Sequence, residues 1–469
     1  MSGTLAIMTQ VLHTPHASGS FDASDVHDTI GRHMLADGFA MVLDLTASRG
    51  STLVDARDGT EYLDLFTFFA SNALGMNHAR LTGDAQFRAD LLEAAMNKPS
   101  NSDIYSIPMA RFVDTFARVL GDPRLPHLFF VEGGALAVEN ALKVAFDWKS
   151  RWNEAHGLDA GLNPNSRSAG SAPALGTQVL HLEHAFHGRS GYTMSLTNTD
   201  PNKVSRFPKF DWPRIPSPYI RTGADMDALE DDALAAARLA FEANPHDIAC
   251  AIVEPIQGEG GDNHFRPRFL QKLRQLCHEH DALFVVDEVQ TGAGMTGTAW
   301  AFQQLGVVPD VVAFGKKVQV CGVMAGGRVD DVPNNVFEVS SRINSTWGGN
   351  LTDMVRARRI LEVIESENLI ERAGALGERV LGRMRDIASR HAMVTEVRGR
   401  GLMCAFTLPD ATTRDRLIDD LRETEHVLAL GCGGSSVRFR PALTISEADL
   451  DRGLDAVERC VARLQERGN

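Results

Sequence analysis

The middle of the 469-residue sequence alternates short apolar runs with amphipathic segments, and this alternation constrains the fold more than any other feature. One amphipathic segment places Phe269, Leu273 and Leu276 on a single helical face. Uninterrupted runs rich in Val, Ile and Phe between such helices are typical of a sheet that is covered on both faces. The sequence therefore predicts an α/β fold with a largely parallel sheet, whose strands are residues 177–182, 249–255, 282–289 and 310–315.

The last third of the chain has a different pattern. Apolar residues recur at helical spacing over residues 351–387, and the strand-like segments VRGRGLMCAF and VRFRP flank a further helix. Ser446, with Asp449 three residues later, is close to a capping box and predicts the start of the last helix. We predict an N-terminal arm that also forms part of a small domain, a large domain, and a C-terminal small α+β domain, with the bounds 1–85, 86–345 and 346–469.

Charge and composition exclude several classes of protein. The formal net charge is −14, which argues against a nucleic-acid-binding protein. No apolar run approaches the roughly 20 residues that a transmembrane helix needs. The six cysteines show no CxxC spacing, so we expect reduced thiols in a cytoplasmic protein. His181, His184 and His187 fall at a strand end and in a loop, and we expect no metal site there.

Polar residues follow the predicted strands at the point where each strand ends. Glu254, Asp287 and the pair Lys316–Lys317 follow three of them, in a chain with only eight lysines. The carboxyl ends of parallel strands meet at one edge of the sheet, where ligands bind. A partly desolvated lysine favours Schiff-base chemistry, and a buried carboxylate needs a cation. Pyridoxal 5′-phosphate satisfies both needs, whereas an ordinary ion pair between Asp287 and Lys316 is the alternative.

A phosphate group would also need a binding site. Gly133 and Gly134 precede a clear helical pattern, and the start of a helix suits an anion. Taken alone, this Gly-Gly pair also fits a simple turn.

Five motifs together resemble the signature of the class III (omega-amino acid) aminotransferases, which depend on pyridoxal phosphate. They are FHGRS, EPIQGEGG, VVDEVQTG, DVVAFGKK and NSTWGGN, and the resemblance runs from about residue 50 to the C-terminus. It implies a fold type I transferase, with a mainly parallel mixed sheet in the large domain and a small α+β domain. The longer segments AFHGRSGYTMSLTNT and FGKKVQVCGVMAGGRV resemble members of the family that act on lysine.

The resemblance implies a set of cofactor contacts. Lys316 stands at the Schiff-base position, with Lys317 adjacent, and Asp287 would pair with the pyridine nitrogen. Thr346 would reach the phosphate of the partner subunit, which implies a homodimer with shared active sites. Phe186 would stack on the ring, Val289 would pack behind it, and Gln290 would hydrogen-bond the ring hydroxyl. Gly134 and Ala135 would bind the phosphate through their backbone amides.

The resemblance also implies how substrates bind. Arg189 would take the carboxylate of the amino donor, and Arg438 the α-carboxylate of 2-oxoglutarate, while Glu259 neutralises Arg438 when the donor is bound. The expected reaction transfers the ε-amino group of L-lysine to 2-oxoglutarate and gives 2-aminoadipate 6-semialdehyde and L-glutamate.

Four alternatives to this reaction stay open. The donor could be ornithine or 4-aminobutyrate instead of lysine, or the chemistry could be that of a mutase, racemase or decarboxylase of the same family. A nicotinamide dehydrogenase ranks low because no G-x-G-x-x-G lies between a strand and a helix. A non-catalytic binding protein ranks lower still.

Overall fold

The computed structural model describes residues 21–158 and 175–468. Its strands are β1 (Thr52–Val54), β2 (Glu61–Asp64), β3 (His127–Val131), β4 (Gln178–Leu182), β5 (Arg214–Ile215), β6 (Ile248–Val253), β7 (Ile256–Gln257), β8 (Asn263–His264), β9 (Leu283–Asp287), β10 (Val311–Phe314), β11 (Cys321–Ala325), β12 (Thr395–Arg400), β13 (Met403–Thr407), β14 (Val427–Leu428), β15 (Leu430–Cys432) and β16 (Ser436–Phe439). Its helices are α1 (Val26–Gly31), α2 (Thr67–Ala70), α3 (Ala79–Thr82), α4 (Ala85–Met96), α5 (Ile107–Val119), α6 (Gly134–Ala155), α7 (Gly191–Leu196), α8 (Met226–Ala243), α9 (Pro267–Glu279), α10 (Ala301–Gln304), α11 (Leu351–Ser366), α12 (Leu369–Arg390), α13 (Ala411–Thr424) and α14 (Glu447–Gly468).

A seven-stranded sheet forms the centre of the molecule, in the order β3-β11-β10-β9-β6-β4-β5. Strand β11 runs antiparallel to both of its neighbours, and the strands from β10 to β5 pair in parallel. The four apolar runs of the sequence form β4, β6, β9 and β10, so the predicted mainly parallel mixed sheet is confirmed.

Helices cover both faces of this sheet. Successive side chains of a strand point to opposite faces. Val285 accordingly packs in one cluster of buried apolar residues, together with Val138 and Ala141 of α6, whereas Val286 packs in another, together with Phe269 and Leu273 of α9. Because both faces are covered, every residue of β6, β9 and β10 is buried. The predicted α/β fold class is confirmed.

The C-terminal part contains an antiparallel sheet in the order β12-β13-β16-β15, with α12, α13 and α14. Strand β14 pairs in parallel with β2 from the N-terminal part, with Val427 opposite Leu63. Helix α11, by contrast, packs on α4 and α5. The three-part division with bounds at residues 85 and 345 stays a prediction, and residues 1–20 of its first part lie outside the described residues.

Two local features of this part were not visible in the sequence pattern. The helical stretch over residues 351–387 is two helices, because Asn368 adopts a left-handed conformation (φ 50°) between α11 and α12. The segment VRGRGLMCAF is a hairpin that turns at Gly401 (φ 53°). Ser446 does cap α14, since its hydroxyl accepts a hydrogen bond from the Asp449 amide at 3.0 Å.

No helix in the described ranges is both long and apolar enough to cross a membrane.

Candidate active site

The carboxyl ends of the parallel strands bring the predicted residues to one edge of the sheet. Asp287 is the last residue of β9, and Ala313 of β10 lies opposite it, so Lys316 follows at the same edge. Glu254 follows β6, and the turn that carries Phe186 and His187 follows β4. The topological rule used on the sequence therefore holds for all four strands.

The two adjacent lysines have different environments. Lys316 lines a cavity of about 790 Å³ together with Gly133 and Gly134, and its Nζ donates to the carbonyl of Phe69 at 3.0 Å. Burial, followed by the charges of Arg438 and Arg440, lowers its pKa to about 8. The buried Lys317 instead donates to the backbone carbonyls of Gln290 and Ala70. Lys316 is therefore the lysine whose amine is available to a ligand.

The backbone that holds both lysines is strained. Residues Thr67–Ala70, the turn α2, all have positive φ values between 42° and 66°. Such left-handed conformations are costly for residues other than glycine and are concentrated at functional sites. The carbonyls of Phe69 and Ala70 in this turn accept the hydrogen bonds from Lys316 and Lys317. No sequence pattern signals this turn.

Asp287 is a buried carboxylate with no lysine or arginine partner among the described residues. Its Oδ2 atom accepts from Nδ1 of His187 at 2.8 Å, and its Oδ1 atom accepts from the amide of Val289 at 3.0 Å. The direct ion pair between Asp287 and Lys316, which the sequence left open, is not formed. The sequence pattern did not reveal His187 as a neighbour of Asp287. The Nε2 atom of this buried ring has no hydrogen-bond partner within the described ranges.

Glu254 holds the loops that surround Asp287. Its two carboxylate oxygens accept hydrogen bonds from the amides of Phe186, at 2.9 Å, and Gly258, at 3.1 Å. Burial raises the pKa of Glu254 to about 7, and the nearby charge of Asp287 contributes to this shift. Glu254 therefore fixes the backbone from which the Phe186 side chain extends.

The start of α6 faces the cavity around Lys316, and neighbouring loops pack closely against it. Gly133 (φ 97°) precedes the first helical residue, Gly134, and both line the cavity around Lys316. A Cβ atom on Gly134 would lie 3.0 Å from Cγ1 of Val289, and one on Gly188 would lie 2.6 Å from Cβ of Ala135. The free amides of this helix start are thus positioned beside the lysine, as an anion site requires.

Gln290 is oriented by a buried ion pair that the sequence analysis missed. Arg440 forms a bidentate pair with Asp262, and both side chains are almost completely inaccessible. The same guanidinium donates to Oε1 of Gln290 from Nε, at 3.0 Å, and from Nη2, at 2.8 Å. The only local signal for Arg440 was its place beside Arg438 in VRFRP.

The two predicted substrate arginines differ in their surroundings. Arg438 is buried, and its Nη2 atom lies 2.8 Å from Oε2 of Glu259. Burial alone would raise the pKa of Glu259, but the charge of Arg438 and the hydrogen bond from Lys203 outweigh it and hold the pKa below its usual value. Arg189 is exposed and makes no hydrogen bond or ion pair with a described residue.

Thr346 stands apart from these residues. It is exposed and does not line the cavity around Lys316. Its segment is tied to the chain between α4 and α5, because Ser102 Oγ donates to the Ser345 carbonyl at 2.6 Å and Asn101 Nδ2 donates to the Gly349 carbonyl at 3.0 Å.

Taken together, these residues fit pyridoxal phosphate. Lys316 offers an amine with a lowered pKa, Asp287 is a buried carboxylate with no lysine or arginine partner in the described part of the chain, and the start of α6 offers amides to a phosphate. A pyridinium nitrogen would supply the positive charge that Asp287 lacks.

Comparison with known proteins identifies the family of this chain. The family model for class-III aminotransferases matches residues 35–461. The chain is 64% identical to an L-lysine-epsilon aminotransferase of Mycobacterium bovis, covering 92% of this chain and 94% of the relative. It is 58% identical to that of Streptomyces clavuligerus, covering 96% of each. A solved structure of lysine aminotransferase from M. tuberculosis, in the internal aldimine form, superposes with a TM-score of 0.91 at 62% identity, covering 95% of this chain and all of that one.

This chain therefore belongs to the class-III aminotransferases, and the resemblance of its motifs to that family is confirmed. It is an aminotransferase of the pyridoxal-phosphate-dependent fold type I, as the sequence predicted.

Proposed function

We propose that the protein transfers the ε-amino group of L-lysine to 2-oxoglutarate and releases 2-aminoadipate 6-semialdehyde and L-glutamate. The observation that carries the proposal is the Glu259–Arg438 ion pair close to Lys316. While the pair is formed, Glu259 neutralises Arg438 and lysine can bind; when the pair opens, Arg438 is free to bind a carboxylate of 2-oxoglutarate. The choice of lysine as donor is supported by relatives of that activity at 58–64% identity over nearly the whole chain.

Pyridoxal phosphate, when bound, supplies an electrophilic aldehyde and an electron sink for the carbon that bears the amino group. Lys316 would hold it through Nζ, Asp287 would face its ring nitrogen, and Gly134 with Ala135 would bind its phosphate through their amides. Phe186, Val289 and Gln290 would contact the ring, with Gln290 oriented by Arg440.

Lys316 would also move the proton. Burial lowers the pKa of the Lys316 amine to about 8. A base of this strength can take a proton from the ε-carbon of the substrate and return it as an acid, because its pKa lies close to the working pH.

Arg189 and Arg438 would divide the two substrates between them. Arg189, which is exposed, would bind the α-carboxylate of lysine, and this places the ε-amine toward Lys316. Glu259 keeps Arg438 neutralised during this half of the reaction. When 2-oxoglutarate binds, its α-carboxylate would replace Glu259 on Arg438 as a bidentate partner.

We further propose that the active form is a homodimer in which Thr346 contacts the phosphate in the partner's site. Five large apolar side chains in the segment of residues 92–107 are each more than 60% exposed, namely Leu92, Met96, Ile104, Tyr105 and Ile107. An exposed apolar surface of this kind is typical of a protein interface. The same segment is hydrogen-bonded to the turn that carries Thr346, so a partner covering it would lie next to Thr346.

The cytoplasm is the location that we expect for this dimer. The six cysteines are all buried and unpaired, as suits a reducing compartment.

A donor panel tests the proposed reaction. The purified protein is supplied with pyridoxal phosphate and 2-oxoglutarate, and then with lysine, ornithine or 4-aminobutyrate, while glutamate and the semialdehyde are measured. We expect lysine to be the preferred donor, with loss of its ε-amine. Preference for another donor, or a 2-keto acid product from lysine, would contradict the proposal.

A further inference from the structure

Glu259 lies between two cations, of which the sequence analysis named only Arg438. Its Oε2 atom is 2.8 Å from Nη2 of Arg438, and its Oε1 atom is 2.6 Å from Nζ of Lys203. The side chain of Arg438 is only 4% exposed, whereas those of Lys203 and Glu259 are 26% and 27% exposed. Glu259 therefore connects a buried arginine with a lysine that water can still reach.

Lys203 reaches this position from a different part of the fold than Arg438. It ends a short 3-10 turn, Pro201–Lys203, which Asp200 caps by accepting from the amide of Asn202 at 2.9 Å. Its Nζ atom lies 5.5 Å from the centre of the Phe186 ring. Within the described ranges, Glu259 is the carboxylate that pairs with Lys203.

The exchange at Arg438 creates an electrostatic problem. When the α-carboxylate of 2-oxoglutarate takes Arg438, Glu259 loses that partner, and a partly buried carboxylate without a cation is destabilised. Nε of Arg438 is buried and has no hydrogen-bond partner among the residues that the structure describes, so the guanidinium has a donor to offer the incoming carboxylate. What the exchange still needs is a second cation for Glu259.

We propose that Lys203 is a positioning residue that retains Glu259 whenever Arg438 binds the amino acceptor. Lys203 then favours the half-reaction with 2-oxoglutarate and has little influence on the half-reaction with lysine, during which Glu259 stays on Arg438. This inference rests on the proposed function, because it takes Arg438 as the site of the acceptor carboxylate.

Separate half-reactions test the proposal. The protein loaded with pyridoxal phosphate is mixed with lysine, and the protein in its amine-loaded form is mixed with 2-oxoglutarate, each followed by absorbance. Since a hydrogen bond to a charged group is worth about 1.5–3 kcal/mol, we expect Lys203→Met to weaken the apparent affinity for 2-oxoglutarate about tenfold or more. The lysine half-reaction should change by less than about twofold, which is below 0.5 kcal/mol.

Two further variants separate this role from a structural one. Lys203→Arg should restore the affinity for 2-oxoglutarate, since it keeps the cation. The matched control Lys209→Met removes an exposed lysine from the same stretch of chain and should leave both half-reactions unchanged. Equal losses in both half-reactions of Lys203→Met, or no recovery in Lys203→Arg, would overturn the proposal.

Binding of glutarate gives a readout that needs no turnover. Glutarate is a dicarboxylate of the same length as 2-oxoglutarate but lacks the keto group, and calorimetry measures its affinity for the cofactor-loaded protein. We expect Lys203→Met to weaken glutarate binding in the otherwise native protein, and to have no effect in the background of Glu259→Gln, where no charge needs to be retained.

The two proposals fail in different ways. If the native protein makes no glutamate from lysine, yet Lys203→Met weakens glutarate binding only when Glu259 is present, the proposed function fails and the role of Lys203 stands. Unchanged glutarate binding in Lys203→Met, beside normal transamination by the native protein, refutes the role of Lys203 alone.

Discussion

At the scale of single residues, two neighbouring lysines of the site have different environments. Lys316 and Lys317 are adjacent in the sequence, but the amine of Lys317 is held between two backbone carbonyls, whereas that of Lys316 lines the cavity. The positive φ of Lys316, 51°, accompanies this divergence of the two side chains. The lysine that faces the cavity is thus selected by backbone conformation.

Because the pKa of Lys316 is lowered, we expect its reaction with pyridoxal phosphate to depend on pH. The amine reacts only when it is neutral, and with a pKa of about 8 its neutral fraction rises through pH 8 and levels off above it. We therefore expect the rate at which cofactor-free protein captures pyridoxal phosphate to follow that profile, as measured by absorbance at a series of pH values. A Lys316→Met variant is the blank. A rate that continues to rise toward pH 10.5, the ordinary value for lysine, would contradict burial of this amine.

Asp287 carries the second prediction at this scale. Its buried carboxylate would be the negative partner of the cofactor ring nitrogen, so Asp287→Ala leaves a buried cation without that partner. Because breaking a buried pair costs about 3–5 kcal/mol, we expect cofactor retention to fall by about two orders of magnitude or more. Equilibrium dialysis against pyridoxal phosphate measures this change. Retention equal to that of the unaltered protein would show that the carboxylate does not face the ring.

At the scale of elements, the start of α6 is fixed by close contact with the turn that carries Phe186 and Arg189. Gly188 has φ 120°, and a Cβ atom there would lie 2.6 Å from Cβ of Ala135. We expect Gly188→Ala to lower the free energy of unfolding by about 2–4 kcal/mol and to weaken cofactor binding, since the helix start and the turn must separate.

Urea unfolding and cofactor titration measure the two effects of Gly188→Ala. The control is Gly223→Ala, at an exposed glycine with φ 76° and no atom within 4 Å of the added Cβ. It should lower the free energy of unfolding by about 1–2 kcal/mol, the cost of the left-handed conformation alone, and leave cofactor binding intact. Similar results for both variants would mean that the contact between Gly188 and Ala135 is unimportant.

The sequence predicted the strands well where the sheet is buried on both faces, because such burial requires apolar residues throughout the strand. Strands β6, β9 and β10 are buried throughout, and their uninterrupted apolar runs could therefore be recognised in the sequence. The break at Asn368 and the strained turn Thr67–Ala70 depend on left-handed backbone conformations of residues other than glycine. Such conformations are imposed by tertiary contacts, and periodicity does not show them.

At the scale of the whole molecule, the proposed dimer predicts complementation between inactive variants. Lys316→Ala removes the lysine of its own chain, and Thr346→Ala removes the contact that we assign to the partner's site. After the two variants are mixed and allowed to exchange subunits, each mixed dimer contains one site with both residues intact. We expect activity to return on mixing. If Thr346 served its own chain, the mixed dimers would stay as weak as the Thr346→Ala protein.

The position of part of the candidate site was predictable, for a reason of topology. Asp287 and Lys316 end neighbouring parallel strands, and the rule that ligands bind at this edge brought them together from sequence alone. Lys203, Asp262 and Arg440 reach the site from loops and from the C-terminal sheet, and their partners are 56 to 178 residues away in the chain. No local pattern encodes contacts of that kind.

Borohydride reduction tests directly whether pyridoxal phosphate attaches covalently to Lys316. The protein is saturated with pyridoxal phosphate, reduced, digested and analysed by mass spectrometry, which locates the modified lysine. We expect a phosphopyridoxyl group on Lys316. A protein that carries the label on Lys317, or that takes up no label at all, would contradict this expectation.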